Sequence, residues 1–508
     1  MNLLSSATIF SFFTLISRIL GYLRDILIAF FLGASIFADA FFVAFRLPNT
    51  FRRLFAEGTF NAAFIPSYTA AKLKNKKKGK KFADDVLSIL LFILIFIVTI
   101  AEIFTPYLLY LIAPGFVVDD IKFNLAVEFT RITFPFLLFV SLASFFSGIL
   151  NSYNKFAAAA AAPIILNVVL IVVIYISYIE NFNIAKQLSY GVTFAGILQL
   201  IFLIFLTYKF YKPKIKFLFI ISKEVKFFFK KLLPSIFSSG VTQINILVGT
   251  IIASFQSGAV SYLYYAERVY QINLALAGIA VGTVSLPVLS KSIKSKNLFK
   301  IFNIQNKSIQ LSLLLSIPAS LGLILASEEI VNGLFGYGSF TFEDVKITSN
   351  ALKLFGYGVV AFALIKILSN FFFARDNTKI PFYISTLIVF LNIFISISFF
   401  NQIGFLIIPI ATSISTWIGV FLFLYILFRK KFINVKKELI NNILKILISS
   451  IIMSFTLVIS LEKFSSYLDY EYIYKSIYLI IIIGFVGIIY LLSCYLLGLL
   501  KIKSYKTN

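Results

Sequence analysis

The sequence is short of the side chains on which most catalytic and metal sites depend. Its 508 residues include no histidine and a single cysteine, Cys494. The absence of histidine removes the commonest general base and metal ligand, and one cysteine cannot form a disulfide within the chain. Cys494 lies in an apolar stretch, where packing is its expected role. A G-x-x-x-x-G-K-[ST] motif is also absent, which argues against ATP-driven pumping by this chain.

Charged residues are scarce as well, and this points to a membrane protein. They make up 13% of the chain, whereas 60% is hydrophobic, with mean hydropathy +0.96. Soluble domains have about 25% charged residues. Apolar stretches near the ~20 residues that a helix needs to cross a bilayer recur throughout. They are continuously apolar, so they predict helices and not the alternating strands of a barrel. No cleaved signal peptide is expected.

Counting the apolar stretches predicts an all-α integral membrane protein with about fourteen transmembrane helices. The predicted spans are 7–33, 36–65, 84–111, 125–150, 158–180, 188–210, 228–255, 259–289, 306–332, 347–373, 380–401, 404–428, 440–461 and 473–500. Twelve spans could form two six-helix lobes, an arrangement common in transporters. We therefore expect an N-lobe over 1–216, a C-lobe over 217–432, and a C-terminal helix pair with its tail over 433–508.

Lysines and acids alternate between successive loops. Lysine-rich loops cover 72–81, 209–231, 291–300, 429–437 and 501–506, and acidic loops cover 119–120, 328–344 and 462–471. This is the pattern of the positive-inside rule, and it predicts cytoplasmic N- and C-termini. The net charge of +25 then reflects topology. Nucleic-acid binding is not expected, because the basic residues are dispersed over loops and not grouped on one face.

Arginine is concentrated where the chain is apolar. Five of the nine arginines fall in the first 53 residues: Arg18, Arg24, Arg46, Arg52 and Arg53. Elsewhere the chain uses 37 lysines for positive charge. Charges inside a bilayer are costly and by default mark functional sites, and the planar guanidinium grips phosphate and carboxylate with two donors. The alternative is snorkelling of long side chains at helix ends.

Acidic residues accompany these arginines in the first two spans. Arg18 and Asp25 are seven residues apart and share a helix face, so they could equally form a structural pair. In the second span Asp39, Arg46 and Arg53 also recur every seven residues. Pro48 removes a backbone hydrogen bond and predicts a kink.

Two further groups of charges lie in later spans. The eighth span carries an acid–base doublet, Glu267 and Arg268, after Ser261. Arg131 and Lys366 are isolated, and for them a structural or interfacial role is favoured over ligand binding. Paired charges of this kind suit a transport cavity better than general acid–base catalysis, which requires acids free to exchange protons. A membrane-bound hydrolase or transferase remains the alternative.

Several motifs resemble the bacterial lipid II flippase family MurJ (MviN) of the MOP exporter superfamily. They are Ser17-Arg18-Ile-Leu-Gly21, Asp39-Ala-Phe-Phe-Val-Ala-Phe45, Leu47-Pro-Asn49, Arg52-Arg53-Leu-Phe-Ala-Glu-Gly58, Tyr264-Tyr-Ala-Glu-Arg268 and Leu286-Pro-Val-Leu-Ser290. The resemblance covers nearly the whole chain. It implies fourteen helices in two lobes, a cationic central cavity, and two extra C-terminal helices whose groove holds the undecaprenyl tail.

The resemblance also implies which residues contact the substrate. Arg18, Arg24, Arg52 and Arg268 match the cavity arginines of the family, and Asp39 matches a functionally important position. Positions that carry sodium-binding acids in some members correspond to Gly249 and Ala374. The complete set of candidate substrate-binding residues is Arg18, Arg24, Asp25, Asp39, Asn49, Arg52, Arg53, Glu57, Ser261, Glu267 and Arg268.

The expected function is that of a lipid II flippase in the bacterial inner membrane, working by alternating access without catalysis. Its ligands would be lipid II, an undecaprenyl-diphosphate-linked disaccharide-peptide, and membrane lipids. We expect a monomer, with peptidoglycan polymerases as candidate partners. No cofactor is expected, and coupling to the membrane potential or to an ion gradient is left open. The alternatives are a flippase for another polyprenyl-linked oligosaccharide, a drug or cation antiporter, and an enzyme acting on such a lipid.

Overall fold

The computed structural model describes residues 3–56, 59–216, 222–274, 277–278 and 281–500. Within them every regular element is a helix, as the apolar pattern predicts. Nine segments of the described chain are long and apolar enough to cross a membrane, and one of them, 379–429, contains two helices. The all-helical membrane class is confirmed, whereas the count of fourteen spans stays a prediction.

The chain divides into two compact units, Met1–Ser261 and Tyr262–Asn508. The helices that begin in the first unit are α1 Leu3–Leu32, α2 Ile36–Ala56, α3 Thr59–Lys74, α4 Lys76–Ile103, α5 Thr105–Ile112, α6 Asp120–Thr133, α7 Phe136–Ser152, α8 Phe156–Ile179, α9 Ile184–Thr207, α10 Lys223–Ala253 and α11 Ala259–Leu274. Because α11 starts at Ala259, its first turn belongs to the first unit and its remainder to the second.

The second unit continues with ten more helices. They are α12 Val281–Lys294, α13 Leu298–Leu325, α14 Ser327–Phe335, α15 Phe342–Gly356, α16 Val359–Phe373, α17 Lys379–Ile403, α18 Ile407–Arg429, α19 Lys437–Lys463, α20 Ser465–Leu468 and α21 Lys475–Leu496. The expected three-part division at residues 216 and 432 stays a prediction.

Local sequence explains where several helices begin and end. Asp119 caps α6, accepting hydrogen bonds from the backbone N–H groups of Ile121 and Lys122. Thr341 and Asp344 form a reciprocal capping box at the start of α15. These side chains satisfy donors that the first turn of a helix leaves without intrahelical partners. At the other end, Asn154 and Asn181 adopt positive φ shortly after α7 and α8, a conformation that asparagine tolerates and that ends a helix.

Two prolines inside helices leave a carbonyl without its usual donor, and another helix supplies one. Pro48 lies within α2, and the Thr133 hydroxyl of α6 donates to the Ala44 carbonyl, four residues before it, at 3.0 Å. In the second unit Pro318 lies within α13. There the Tyr490 hydroxyl of α21 donates to the Leu314 carbonyl at 2.7 Å. A carbonyl buried away from water is thus satisfied in both places.

Helices differ in how much of their surface is covered. Along α7 every residue from Phe136 to Leu150 is buried or half-buried, whereas α21 exposes large apolar side chains along its length, including Ile480, Phe485 and Leu492. In a soluble protein such an apolar surface would be unusual. In this protein it suits contact with lipid.

Candidate functional site

Arg24 and Asp25 form a buried charge pair near the middle of α1. Arg24 is 4% exposed and Asp25 1% exposed. The Nε and Nη2 atoms of Arg24 donate to Asp25 Oδ1 at 3.0 and 2.6 Å. Both donors of the fork are thus directed at one carboxylate oxygen, and the guanidinium is held in a fixed orientation.

Asn167 of α8 completes this site. Its Oδ1 accepts a hydrogen bond from Arg24 Nη1 at 3.0 Å, and its Nδ2 donates to the Ser17 carbonyl at 2.8 Å. A Cβ atom at Gly21 would meet the Asn167 amide at 3.6 Å, which is ordinary van der Waals contact. One amide therefore links the backbone of α1 to the guanidinium that α1 carries.

Arg18 is placed differently from Arg24. Its side chain is exposed, although it lies on the same helix. Asp25 pairs with its chain neighbour Arg24 and not with Arg18, so the seven-residue spacing does not produce the pair that it allows. The exposed Arg18 guanidinium is therefore accessible to a ligand.

Asp39 is the centre of the largest polar network in the described part of the first unit. Its side chain is fully buried. Lys122 Nζ of α6 lies 2.5 Å from Oδ2, and the Gly258 backbone N–H donates to the same oxygen at 2.9 Å. The Ser261 backbone N–H and hydroxyl donate to Oδ1 at 2.9 and 2.6 Å. Four donors thus satisfy the carboxylate and fix α2 to α6 and to the first turn of α11.

The second half of α2 carries three more candidate residues. Arg46 Nη1 donates to the Thr250 hydroxyl of α10 at 2.5 Å. One turn later, Arg52 Nε donates to Asn49 Oδ1 at 2.8 Å, and both of these side chains are half-buried. The Asn49 amide thus orients Arg52. The side chain of Arg53 and the whole of Glu57 lie outside the described residues.

In the second unit, α11 carries the doublet of Glu267 and Arg268. Arg268 Nη2 donates to the Tyr264 hydroxyl, one turn earlier, at 2.8 Å. The guanidinium carbon also lies 4.9 Å from the centre of the Tyr264 ring, within cation–π distance. Glu267 is half-buried. Tyr264 therefore does for Arg268 what Asn49 does for Arg52.

Three residues of these networks were missed by the sequence analysis. Lys122, Asn167 and Thr250 are the partners of Asp39, Arg24 and Arg46. Lys122 carried a signal, because it is a lysine directly after Asp119 and Asp120 in a loop that the charge pattern assigns to the acidic side. Asn167 carried a weaker one, as an isolated amide in the otherwise apolar helix α8. Thr250 carried none.

On the lysine-rich side, an acidic pair at the start of α4 holds the segment after α9. The Tyr211 hydroxyl donates to Asp84 Oδ1 at 2.7 Å, and Lys216 Nζ lies 2.6 Å from Asp85 Oδ1. Burial, and then the hydrogen bond to Asp84, raise the pKa of Tyr211 above its ordinary value. The residues between α9 and position 216 are thus fastened to the first unit.

Comparison with known proteins identifies the family. The family model for lipid II flippase MurJ matches residues 28–481. A protein of Rickettsia prowazekii named "Probable lipid II flippase MurJ" is 37% identical over 97% of this chain and 98% of its own length. A protein of the same name from Buchnera aphidicola subsp. Schizaphis graminum is 35% identical over 98% of each chain.

Solved structures agree with the sequence comparison. A structure titled as lipid II flippase MurJ in an inward closed conformation matches 96% of this chain and 98% of its own, with 30% identity and TM-score 0.81. An inward-facing MATE-family multidrug transporter of the MOP superfamily matches 81% of this chain and 94% of its own, with 14% identity and TM-score 0.69. At that identity the second match shows the fold alone.

Proposed function

The chain belongs to the lipid II flippase MurJ family, and from this premise we propose that it carries lipid II across the membrane. The cargo is an undecaprenyl-diphosphate-linked disaccharide-peptide, which moves from the cytoplasmic to the periplasmic leaflet for cell-wall synthesis. Alternating access exposes the binding residues first to one side and then to the other. No covalent bond changes in this process, so the protein is a transporter and not an enzyme.

The observation that carries this proposal is the oriented, buried guanidinium of Arg24. A diphosphate presents pairs of oxygens, which planar forks of N–H donors match in geometry. Asp25 and Asn167 fix the plane of Arg24 before a ligand arrives, and preorganisation of this kind lowers the cost of binding. Arg52 and Arg268 are oriented in the same manner by Asn49 and Tyr264. We assign phosphate recognition to these three arginines and to the exposed Arg18.

The acidic candidates have supporting roles in this proposal. Asp25 orients Arg24, and Asp39 with Ser261 holds the helices that carry the arginines, because all four donors around Asp39 come from the protein itself. Glu267 stands beside Arg268 in sequence and is assigned to the same site. Arg53 and Glu57 remain in the proposed site on the strength of their motif.

The setting of the protein is proposed from the loop charges. The lysine-rich loops face the cytoplasm and both termini lie there, so the membrane is the bacterial inner membrane. We propose that the protein works as a monomer without a cofactor, driven by the membrane potential or an ion gradient. Peptidoglycan polymerases, which consume its cargo, are the proposed neighbours. The three-part division at residues 216 and 432 belongs to the same proposal.

Native mass spectrometry of the purified protein tests the substrate. We expect lipid II to bind in preference to phosphatidylglycerol, a bulk anionic lipid of similar apolar character. Equal binding of the two lipids would contradict the proposal. Chromatography of lipid II after incubation tests the alternative of an enzyme. An altered product would support that alternative, whereas unchanged lipid II is the outcome we expect.

A further inference from the structure

Lys366 is a charged residue in an apolar helix of the second unit that the proposed site does not include. It lies midway along α16, about 10 Å from either end at 1.5 Å per residue. Its side chain is exposed. Within the described residues, no hydrogen bond, ion pair or ring contact satisfies its ammonium group. Snorkelling serves lysines near helix ends, and Lys366 is too central for that explanation.

The surroundings of Lys366 show that it does not face lipid. The next two residues, Ile367 and Leu368, are fully buried, and Phe373 at the end of α16 is the other exposed residue of that helix. The lipid-facing pattern is seen in α17, where Phe390, Phe394 and Ile397 are each about 60% exposed. Since α16 packs against α12, α13 and α18, the exposure at Lys366 is an opening on an otherwise covered helix.

The residues one turn away on either side identify the face that carries Lys366. Phe362 stacks on Tyr270 of α11 with ring centres 5.7 Å apart. Asn370 Nδ2 donates to the Gly282 carbonyl in the first turn of α12 at 2.8 Å. Residues four apart share a helix face, so Lys366 lies on the side of α16 that contacts α11 and α12. The helix that carries Glu267 and Arg268 therefore borders the same face.

Two other lysines of the chain show how a buried ammonium is satisfied when its role is structural. Lys122 pairs with Asp39. Lys475 is 1% exposed, donates to the Gly336 carbonyl at 2.6 Å, and lies between the rings of Tyr337 and Tyr470. An ammonium in an apolar segment without such acceptors requires water or an anionic ligand. Lys366 meets this description and the two structural lysines do not.

We propose that Lys366 binds an anionic oxygen group of the transported lipid, either phosphate or the carboxylate of its peptide. This inference rests on the proposed function and adds a contact in the second unit. A lysine differs from the oriented arginines, since its ammonium is a point charge on a flexible stem with rotatable donors. It can follow an anionic group as that group moves. Charge, and not fork geometry, is thus what this position requires.

The test compares lipid binding by Lys366→Met, Lys366→Arg and the wild type, using native mass spectrometry. Lys379→Met is the matched control, because Lys379 is an exposed lysine at the start of the next helix. For lipid II we expect Lys366→Met to bind about ten- to a hundredfold more weakly, the range for one lost charge-assisted contact. Lys366→Arg should restore most of the affinity, and Lys379→Met should match the wild type.

Undecaprenyl diphosphate, which lacks the sugars and the peptide, separates the two sources of negative charge. Weaker binding of both lipids by Lys366→Met assigns the contact to phosphate, and weaker binding of lipid II alone assigns it to the peptide carboxylate. Unchanged binding of both overturns the inference. Thermal unfolding guards against misfolding, because Lys366 makes no internal contact and its replacement should leave the melting temperature unchanged. If the wild type does not prefer lipid II to phosphatidylglycerol, the proposed function fails together with this inference.

Discussion

The two units treat charge in apolar helices in different ways. In the first unit Arg24 and Asp25 pair with each other, and Asp39 pairs with Lys122. In the second unit Lys366 has no such partner among the described residues. A charge that the protein satisfies itself stabilises or orients the structure, whereas one that it leaves unsatisfied is available to a ligand. Removing the first kind should therefore affect folding, and removing the second kind should affect binding alone.

The largest effect is expected from Asp39→Leu. This change leaves the Lys122 ammonium buried without a counter-ion, which costs roughly 3–5 kcal/mol in comparable cases. Chemical unfolding of the purified protein measures the loss. The double variant Asp39→Leu/Lys122→Met should recover much of it, because no uncompensated charge then remains. Glu128→Ala is the control, since Glu128 and its partner Lys186 are both well exposed; an equal loss there would contradict the assignment.

Arginine-to-lysine changes come next and test orientation with charge kept constant. Arg24→Lys, Arg52→Lys and Arg268→Lys should each weaken lipid II binding by about 1.5–3 kcal/mol, because a lysine cannot present two parallel donors to a diphosphate. This corresponds to roughly a ten- to hundredfold loss of affinity. Arg429→Lys, at an exposed position in the last turn of α18, should have no effect. Normal binding by all three variants would show that positive charge alone suffices there.

A smaller effect is expected where a side chain satisfies a carbonyl freed by proline. Tyr490→Phe removes the donor to the Leu314 carbonyl, and Thr133→Val removes the donor to the Ala44 carbonyl. Each should lower the free energy of unfolding by about 1 kcal/mol. Thermal unfolding provides the measurement. Tyr495→Phe, on the exposed face of α21, should leave stability unchanged, and an equal loss in that variant would remove the special role of the two hydroxyls.

The smallest effect concerns alkaline pH. The pKa of Tyr211 is raised in the folded protein, so the neutral phenol is favoured there. The stability that this contributes is present below the ordinary tyrosine pKa of about 10 and is lost as the pH rises toward the folded value. Unfolding measured across this range should show a weaker pH dependence for Tyr211→Phe than for the wild type. Identical profiles would contradict the contribution of the hydrogen bond to Asp84.

Much of the fold could be predicted from the sequence, because helix class depends on local hydropathy. The apolar stretches predict helices, and the prediction of an all-helical membrane protein is confirmed. The concentration of arginine in apolar sequence also directed attention to Arg24. The partner of Arg24 could not be predicted, since Asn167 lies 143 positions away. Spacing on one helix suggested Arg18 for Asp25, but a helical periodicity cannot show which side of α1 is covered by α8.

The networks around Asp39 and Pro48 had the same limit. A proline at position 48 predicts an orphaned carbonyl in its own helix, and this followed from the sequence. That Thr133 of α6 supplies the missing donor depends on tertiary packing. Asp39 was recognised by its motif, whereas the four donors around it come from three separate stretches of chain. Local patterns therefore identified the costly groups, and only the fold shows how each is satisfied.

Growth rescue tests the central claim most directly. A bacterium depleted of its own lipid II flippase would express this chain or its Arg24→Lys variant, with equal amounts of protein in the membrane. The account predicts that the wild-type chain restores growth and that Arg24→Lys does not, because the oriented guanidinium grips the diphosphate. Failure of the wild-type chain, or full rescue by Arg24→Lys, would contradict it.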